Sequence, residues 1–233
     1  GALNQLNTIE KNIITIEDPV EYQLDGITQI QVNPRAGLTF ANGLRSIMRA
    51  DPDVIMVGEI RDRDAASIAI ESALTGHLVL STLHTNDAPT AITRLIEMGI
   101  EPFLVASAID CVVAQRLCRT LCQHCKKRTI LTADVLRQNG WPALADIEAY
   151  QPVGCARCGH SGYKGRIGLY EVMVITDEIR KLAIQRVSAD VIAEVAVRDG
   201  MRRLREDGLE KVRLGRTSIA EVARVTGVGA AEY

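Results

Sequence analysis

Between residues 13 and 83 the chain alternates two hydrophobic rhythms. Ile13, Ile14, Thr15 and Ile16 form a short β-branched run, and residues 28–32 alternate apolar and polar as a half-exposed strand does. Residues 39–50 place Leu44, Ile47 and Met48 at helical spacing. Val54, Ile55, Met56 and Val57 make an unbroken apolar run of the kind that buried parallel strands carry. Helical spacing returns over residues 64–75, with Ile68, Ser72 and Leu74 among Ala65, Ala66, Ala69 and Ala73, and Gly76 stands where a helix C-cap belongs. Leu78, Val79 and Leu80 give the next strand. Asn86 or Asp87 caps the helix after it, Pro89 sits in its first turn, Ile92, Leu95 and Ile96 point inward, and Gly99 ends it. This β-α-β-α order predicts a parallel or mixed sheet with helices on both faces. Folds of that class hold ligands beyond the C-terminal ends of their strands.

Residues 1–11 read as the end of a polar helix. The rhythm changes near Cys118, after which residues 118–165 are rich in Cys, Lys and Gly. Residues 176–226 read as short helices. Ile179, Leu182 and Ala183 make one stripe, and Ser188 opens a second with Ile192, Val195 and Ala196 inward and Gly200 closing it. Ser218 with Glu221 is a capping box opening the last helix. The division that follows is a core over residues 1–117, a cysteine-bearing subdomain over 118–168 and a helical subdomain over 169–233.

Composition narrows the class. A chain of 233 residues with 47% hydrophobic positions can bury a sizeable core, and with only 3% aromatics that core is aliphatic. A net charge of −2 gives no global pull toward nucleic acid or anionic lipid. The longest apolar stretch, residues 103–114, is too short to span a bilayer and holds Asp110, while Cys111 within it reads as a core residue of an apolar helix. With no signal peptide visible, the reading is a cytosolic protein whose six cysteines stay reduced.

Four of those cysteines form two matched knuckles, Cys122-x-x-Cys125 and Cys155-x-x-Cys158, with 29 residues between them. Zn²⁺ takes four soft ligands in a tetrahedron, and each C-x-x-C sets two thiolates on one tight turn. Such a site has no open position and is structural. The long gap requires the intervening segment to fold as a small loop or helix of its own. Lys126, Lys127, Arg157 and Lys164 offset the surplus negative charge of four thiolates on one Zn²⁺. His124 and His160 are alternative ligands. Free thiols or a redox pair are competing readings, which the pairing of the knuckles disfavours.

Three strands end in polar signatures: Glu17, Asp18 and Glu21 after the first, Glu59, Arg61 and Asp62 after the second, and His84 with Thr85 and Asn86 after the third. A carboxylate at such a place can orient Mg²⁺ or an attacking water, and a histidine on the next strand can sense a phosphate.

The stretches ITIEDPVE over residues 14–21, DPDVIMVGEIRD over 51–62 and TGHLVLSTLHTN over 75–86 resemble three diagnostic boxes: the Asp box, Walker B and His box of the secretion ATPase superfamily. With the four cysteines and GYKGR over 162–166, the chain is similar to the type II secretion and type IV pilus assembly ATPases from about Leu3 to Thr226. The resemblance implies a RecA-like P-loop NTPase core with an inserted tetracysteine zinc subdomain and a small helical tail. It implies a homohexamer on the cytoplasmic face of the inner membrane, hydrolysing ATP with Mg²⁺ and docking on inner-membrane platform proteins of a secretion or pilus machine. Carried over by position, Glu59 is the Walker B glutamate acting on the attacking water, and Glu17 is the second catalytic carboxylate. His84 and His77 read the γ-phosphate, Asp18 and Glu21 belong to the nucleotide site, and Arg61, Arg45 and Arg49 serve charge stabilisation or a subunit interface.

Two departures stand out. Gly58 occupies the place where a usual Walker B has an Asp, as the family pattern has it, and Asp53 opens the strand at the wrong end. The glycine-rich G-x-x-x-x-G-K-[ST] loop does not occur in this chain; Lys164 follows glycines at the wrong spacing. The core therefore reads as incomplete, from the C-terminal part of a longer protein, and inactive by itself. A DNA-uptake or conjugation motor shares the boxes and would need a basic, aromatic-bearing channel. Pilus-retraction motors lack the tetracysteine insert. A nonenzymatic zinc-stabilised adaptor is the reading from a different class.

Overall fold

The computed structural model describes residues 1–141 and 145–227. The described chain falls into two compact units, one of Gly1–Val112 with Val174–Val195 and one of Val113–Met173 with Ala196–Tyr233.

In the first unit, helix α1 (Ala2–Leu6) leads to strand β1 (Ile13–Glu17), β2 (Thr28–Gln31), helix α2 (Phe40–Ile47), β3 (Val54–Val57), α3 (Arg63–Leu74) and β4 (Leu78–Ser81). Helices α4 (Pro89–Glu97) and α5 (Pro102–Ala108) follow. The four strands form one parallel sheet in the order β2-β1-β3-β4, with Ile14 beside Thr28 and Ile55, and Ile55 beside Val79. The two central strands are the most deeply buried: β3 is an unbroken apolar run, β1 is broken only by the buried Thr15 before Glu17, and Ile13, Ile16, Ile55 and Val57 are almost wholly buried. Leu44 and Ile47 of α2, which packs on β1 and β3, complete that core, and Ile92 of α4 is likewise buried. The chain is thus an α/β protein with a parallel sheet.

Local capping follows the side-chain chemistry. The Thr39 hydroxyl accepts from the Asn42 amide at the start of α2, and the Asp62 carboxylate accepts from the Ala65 amide at the start of α3. Asp87 rather than Asn86 serves α4, accepting from the Thr90 amide at 3.0 Å.

The apolar stretch after Pro102 does not stay helical. α5 ends at Ala108, Ile109 is already extended, and Cys111 opens strand β5 (Cys111–Leu121) exposed to solvent. The reading of Cys111 as a core helix residue is corrected: β-branched Val112 and Val113 favour extended backbone, and alternation then turns residue 111 outward.

The second unit contains β6 (Lys127–Leu131), helix α6 (Ala133–Gln138), β7 (Ile147–Gln151) and β8 (Tyr163–Val174). β5 pairs with β8, and β6 with β7 antiparallel, Lys127 opposite Gln151. Helices α7 (Asp177–Ile184) and α8 (Ala189–Arg198) come next, α7 lying in the first unit. Helices α9 (Leu204–Arg213) and α10 (Ile219–Thr226) complete the second. The capping box at α10 is half formed. The Ser218 hydroxyl accepts from the Glu221 amide, but the Glu221 carboxylate binds Arg119 and Arg224 instead of turning back to the cap.

The units differ in charge. The first carries ten Lys and Arg against nineteen Asp and Glu, the second seventeen against ten. The near-neutral total conceals this separation.

Candidate functional site: a carboxylate cluster at the strand ends and a four-cysteine centre

Because β1, β3 and β4 are parallel and in register, the residues following them emerge at one end of the sheet. Glu59, two residues beyond β3, is 18% exposed at its side chain and is met from two sides. Arg61 forms an ion pair with one of its oxygens, and His84 Nε2 lies 3.0 Å from the other. Hydrogen bonding from the Arg61 guanidinium, and then from His84, holds the Glu59 carboxyl below the usual range against an opposing desolvation. Arg61 also reaches Asp18 at 3.2 Å and lies over the Phe40 ring, 6.0 Å from its centre. Asp18, Glu59, Arg61 and His84 are therefore one connected group.

Glu17 stands at the end of β1, held by neutral donors. The hydroxyl of buried Thr15 donates to its Oε1 at 2.6 Å and Gln29 Nε2 donates to the same oxygen at 3.0 Å. Gln29 also donates to the Tyr22 carbonyl and accepts from the Leu24 amide, fixing the segment after Asp18. The Glu59 turn is pinned to β4 by Thr82, whose hydroxyl donates to the Gly58 carbonyl at 2.7 Å and whose carbonyl accepts from the Ile60 amide at 3.0 Å.

Gly58 has a steric reason. A Cβ there would lie 3.2 Å from both the Ile16 carbonyl oxygen and the Glu17 Cα, and the Gly58 amide donates to that same carbonyl at 2.8 Å. Any larger residue would push the two strand ends apart by a few tenths of an ångström. The site thus trades an acidic residue at 58 for proximity between the β1 and β3 carboxylates.

Other sequence candidates are not brought to this group. His77 precedes β4, at the opposite end of the sheet from His84; its Nδ1 lies 2.9 Å from the Ser72 carbonyl and 3.1 Å from the Thr75 hydroxyl. β4 lies between His77 and His84, and its four residues alone span roughly 13 Å. Glu21 is exposed. Arg45 bonds Asn42 on its own helix, and Arg49 lies beyond the end of α2. Thr15 and Thr82 lie inside the first and third of the quoted boxes without being singled out there, and Gln29 lies outside all three; the register of Thr15 beside Gln29 brings it to Glu17.

The second constellation is the cysteines. Cys122, Cys125, Cys155 and Cys158 bring their sulfurs within 4.8 Å of one another, unbridged by disulfides. The Sγ–Sγ separations are 4.0 Å for Cys122–Cys155, 3.9 Å for Cys125–Cys158 and 3.8 Å for Cys155–Cys158. A tetrahedron with Zn–S bonds of about 2.3 Å has edges of about 3.8 Å, so the donor set fits that ion in chemistry and size. The Cys122 amide donates to the Gly162 carbonyl at 2.9 Å and joins the two knuckles. Backbone amides face the sulfurs: Gly154 donates to Cys125 at 3.3 Å, and Cys155 and Gly162 donate to Cys158 at 3.2 and 3.3 Å. Against a desolvation that raises it, those last two amides bring the Cys158 thiol down to about 6. Desolvation pushes Cys125 up to about 11. Neither His124 nor His160 joins the described cluster; His124 lies 2.9 Å from the Arg157 guanidinium.

Glu59, Arg61, Asp18 and His84 thus gather at the ends of parallel strands, the place where α/β folds hold their ligands. Residues 1–224 match the family model described as "Type II/IV secretion system protein", and the chain belongs to that family. It is 49% identical over 226 residues to the type II secretion system protein E of Aeromonas hydrophila, covering 97% of this chain and 45% of that protein. It is 53% identical over 225 residues to the type IV pilus assembly ATPase PilB of Thermus thermophilus, covering 95% of this chain and 25% of that protein. The chain therefore spans less than half the length of these relatives. In fold it resembles the crystal structure of the pilus retraction motor PilT with bound ADP, with a TM-score of 0.69 at 24% identity over 96% of this chain and 55% of that one.

Proposed function

We propose that this chain supplies the hydrolytic end of a RecA-like ATPase that acts in its full-length protein as a motor for type II secretion or type IV pilus assembly. The observation that carries the reading is the connected group of Glu59, His84, Arg61 and Asp18 at the ends of adjoining parallel strands. Glu59, kept ionised by its neighbours, orients and accepts a proton from the attacking water. His84, largely exposed and 3.0 Å from Glu59, is placed to donate to a terminal phosphate oxygen. Arg61 brings a positive charge to the same place, and Glu17, fixed by Thr15 and Gln29, is the second carboxylate. Oxygen donors of this kind suit Mg²⁺, which is held by one or two carboxylates together with substrate phosphates and supplies charge neutralisation there. The cysteine centre holds Zn²⁺ as a structural element.

The same reading assigns a homohexamer docked through inner-membrane partners on the cytoplasmic side, and weak nucleotide binding by the 233-residue chain alone. It treats residues 1–117, 118–168 and 169–233 as motor core, zinc subdomain and helical subdomain. The test is Mg²⁺-dependent ATP hydrolysis by the full-length protein. Turnover that requires Mg²⁺ and drops at least tenfold in Arg61→Ala supports the reading, while absence of hydrolysis under secretion-competent conditions favours a nonenzymatic adaptor.

A further inference from the structure

The cysteine centre lies in a stretch of chain with far more positive charge than the centre uses. Residues 111–133 contain five Lys and Arg and residues 149–170 contain three, with no Asp or Glu in either segment. Four thiolates on one Zn²⁺ leave a surplus of only two negative charges. Some of the cations have work within the fold. Arg119 pairs with buried Glu221, Lys126 donates to the Gly215 carbonyl at 2.8 Å, Arg128 contacts the Tyr150 hydroxyl, and Arg157 lies against His124. Lys127, Lys164 and Arg166 are exposed and form no ion pair among the described residues. Lys127 begins β6 two residues after Cys125, while Lys164 and Arg166 begin β8 close behind Cys158, and the Cys122–Gly162 hydrogen bond draws these two stretches together. Two of these charges would balance the centre's surplus, and like charges beyond that number on one small surface cost stability.

We propose that the face formed by Lys127, Lys164 and Arg166 around the four-cysteine centre is a docking surface for an acidic segment of a partner protein. Charge complementarity selects the occupant. Val153, 50% exposed, lies two residues beyond Gln151, the cross-strand partner of Lys127, and offers apolar contact of the kind that protein interfaces combine with charge. Among the exposed large hydrophobic residues of the two segments, Tyr170 is the one aromatic side chain, so the stacking platforms that nucleic-acid grooves use are sparse. The cysteine centre serves this surface by holding the two basic strand starts in fixed geometry, so that a partner meets a preformed patch.

The experiment uses the whole chain with its bound zinc verified, and a fluorescent decaglutamate peptide read by anisotropy. The paired reversal Lys127→Glu/Arg166→Glu is compared with Arg202→Glu/Arg213→Glu, which changes net charge equally elsewhere on the same unit. The first pair is expected to weaken peptide binding by about tenfold or more, and the second by less than about threefold. Wild-type binding should also fall as NaCl rises from about 50 to about 200 mM. The neutralising pair Lys127→Gln/Arg166→Gln gives the same reading should reversal disturb the fold. Equal loss in both pairs, or no measurable peptide binding, overturns the proposal. Tighter binding of phosphatidylglycerol vesicles or of a single-stranded oligonucleotide than of the peptide also overturns it and assigns the surface to lipid or nucleic acid.

Discussion

Removing the metal from the cysteine centre should unfold the entire second unit and leave the first standing. The knuckles are wired into the C-terminal helices. The Leu121 amide donates to the Arg216 carbonyl at 2.8 Å, Lys126 Nζ to the Gly215 carbonyl at 2.8 Å, and the Thr217 hydroxyl to the Arg119 carbonyl at 2.8 Å. These bonds fix residues 215–217, which join α9 to α10. Structural zinc contributes about 10 kcal/mol or more, against a total of roughly 5–15 kcal/mol for a typical domain. Losing it should therefore take the unit below its folding threshold. The only tryptophan, Trp141, reports on this unit alone: it is 7% exposed and stacks on Arg205 of α9 with 4.6 Å from guanidinium to ring centre. Titration with a zinc-specific chromogenic chelator, followed by tryptophan emission and hydrogen exchange, makes the measurement. Release of one zinc per chain should coincide with a red shift of Trp141 to the emission of a solvated indole, while the amides of Ile14 and Ile16 in the parallel sheet stay protected. Zinc release with Trp141 emission unchanged would refute the reasoning, as would exchange of the β1 amides at the same chelator concentration.

Three further outcomes follow from the geometry. Gly58→Ala should cost about 1–3 kcal/mol in thermal unfolding and lower turnover of the full-length protein, because its Cβ would press on the β1 backbone at 3.2 Å; wild-type turnover would show that close approach is not needed. Against the desolvation that raises it, Arg224 and Arg119 hold Glu221, 2% exposed, at about 2; its folded-state value is depressed, so its stabilisation is present above about pH 4.5 and is lost as pH falls toward 2. A shift of that size corresponds to about 3 kcal/mol, so denaturant titrations should show a steeper acid-side loss in wild type than in Glu221→Gln, and parallel curves would contradict the assignment. Calorimetric titration of the 233-residue chain with Mg-ATP should show affinity weaker than micromolar, since no G-x-x-x-x-G-K-[ST] loop is present to cradle phosphates; micromolar or tighter binding would place the phosphate site within these residues.

The parallel sheet was legible because central strand β3, Val54–Val57, carries the uniform apolar run of a strand covered on both faces, and β1 carries a β-branched run beside it. The cysteine centre was legible because metal-ligand spacing is a local property of sequence. What escaped depended on pairing between distant segments. His77 and His84 are seven residues apart in one motif, yet a four-residue strand puts them at opposite ends of the sheet. Gln29 reaches Glu17 only through the β1–β2 register, and Glu221 abandons its local capping role for Arg119, 102 residues away. Cys111 was misread because periodicity alone does not separate a short apolar helix from the strand that follows it. The opposite charges of the two units were hidden by a total that sums to −2.

The most direct measurement of the central claim is multiple-turnover ATP hydrolysis by the full-length protein carrying Glu59→Gln, with nucleotide affinity measured alongside. The substitution keeps the size and hydrogen-bonding reach of the side chain and removes the charge that orients water. Hydrolysis should fall by about a hundredfold or more while nucleotide affinity stays within about threefold, since general-base removal costs roughly that much in rate. Turnover at the wild-type rate would contradict the account and move the hydrolytic role away from Glu59.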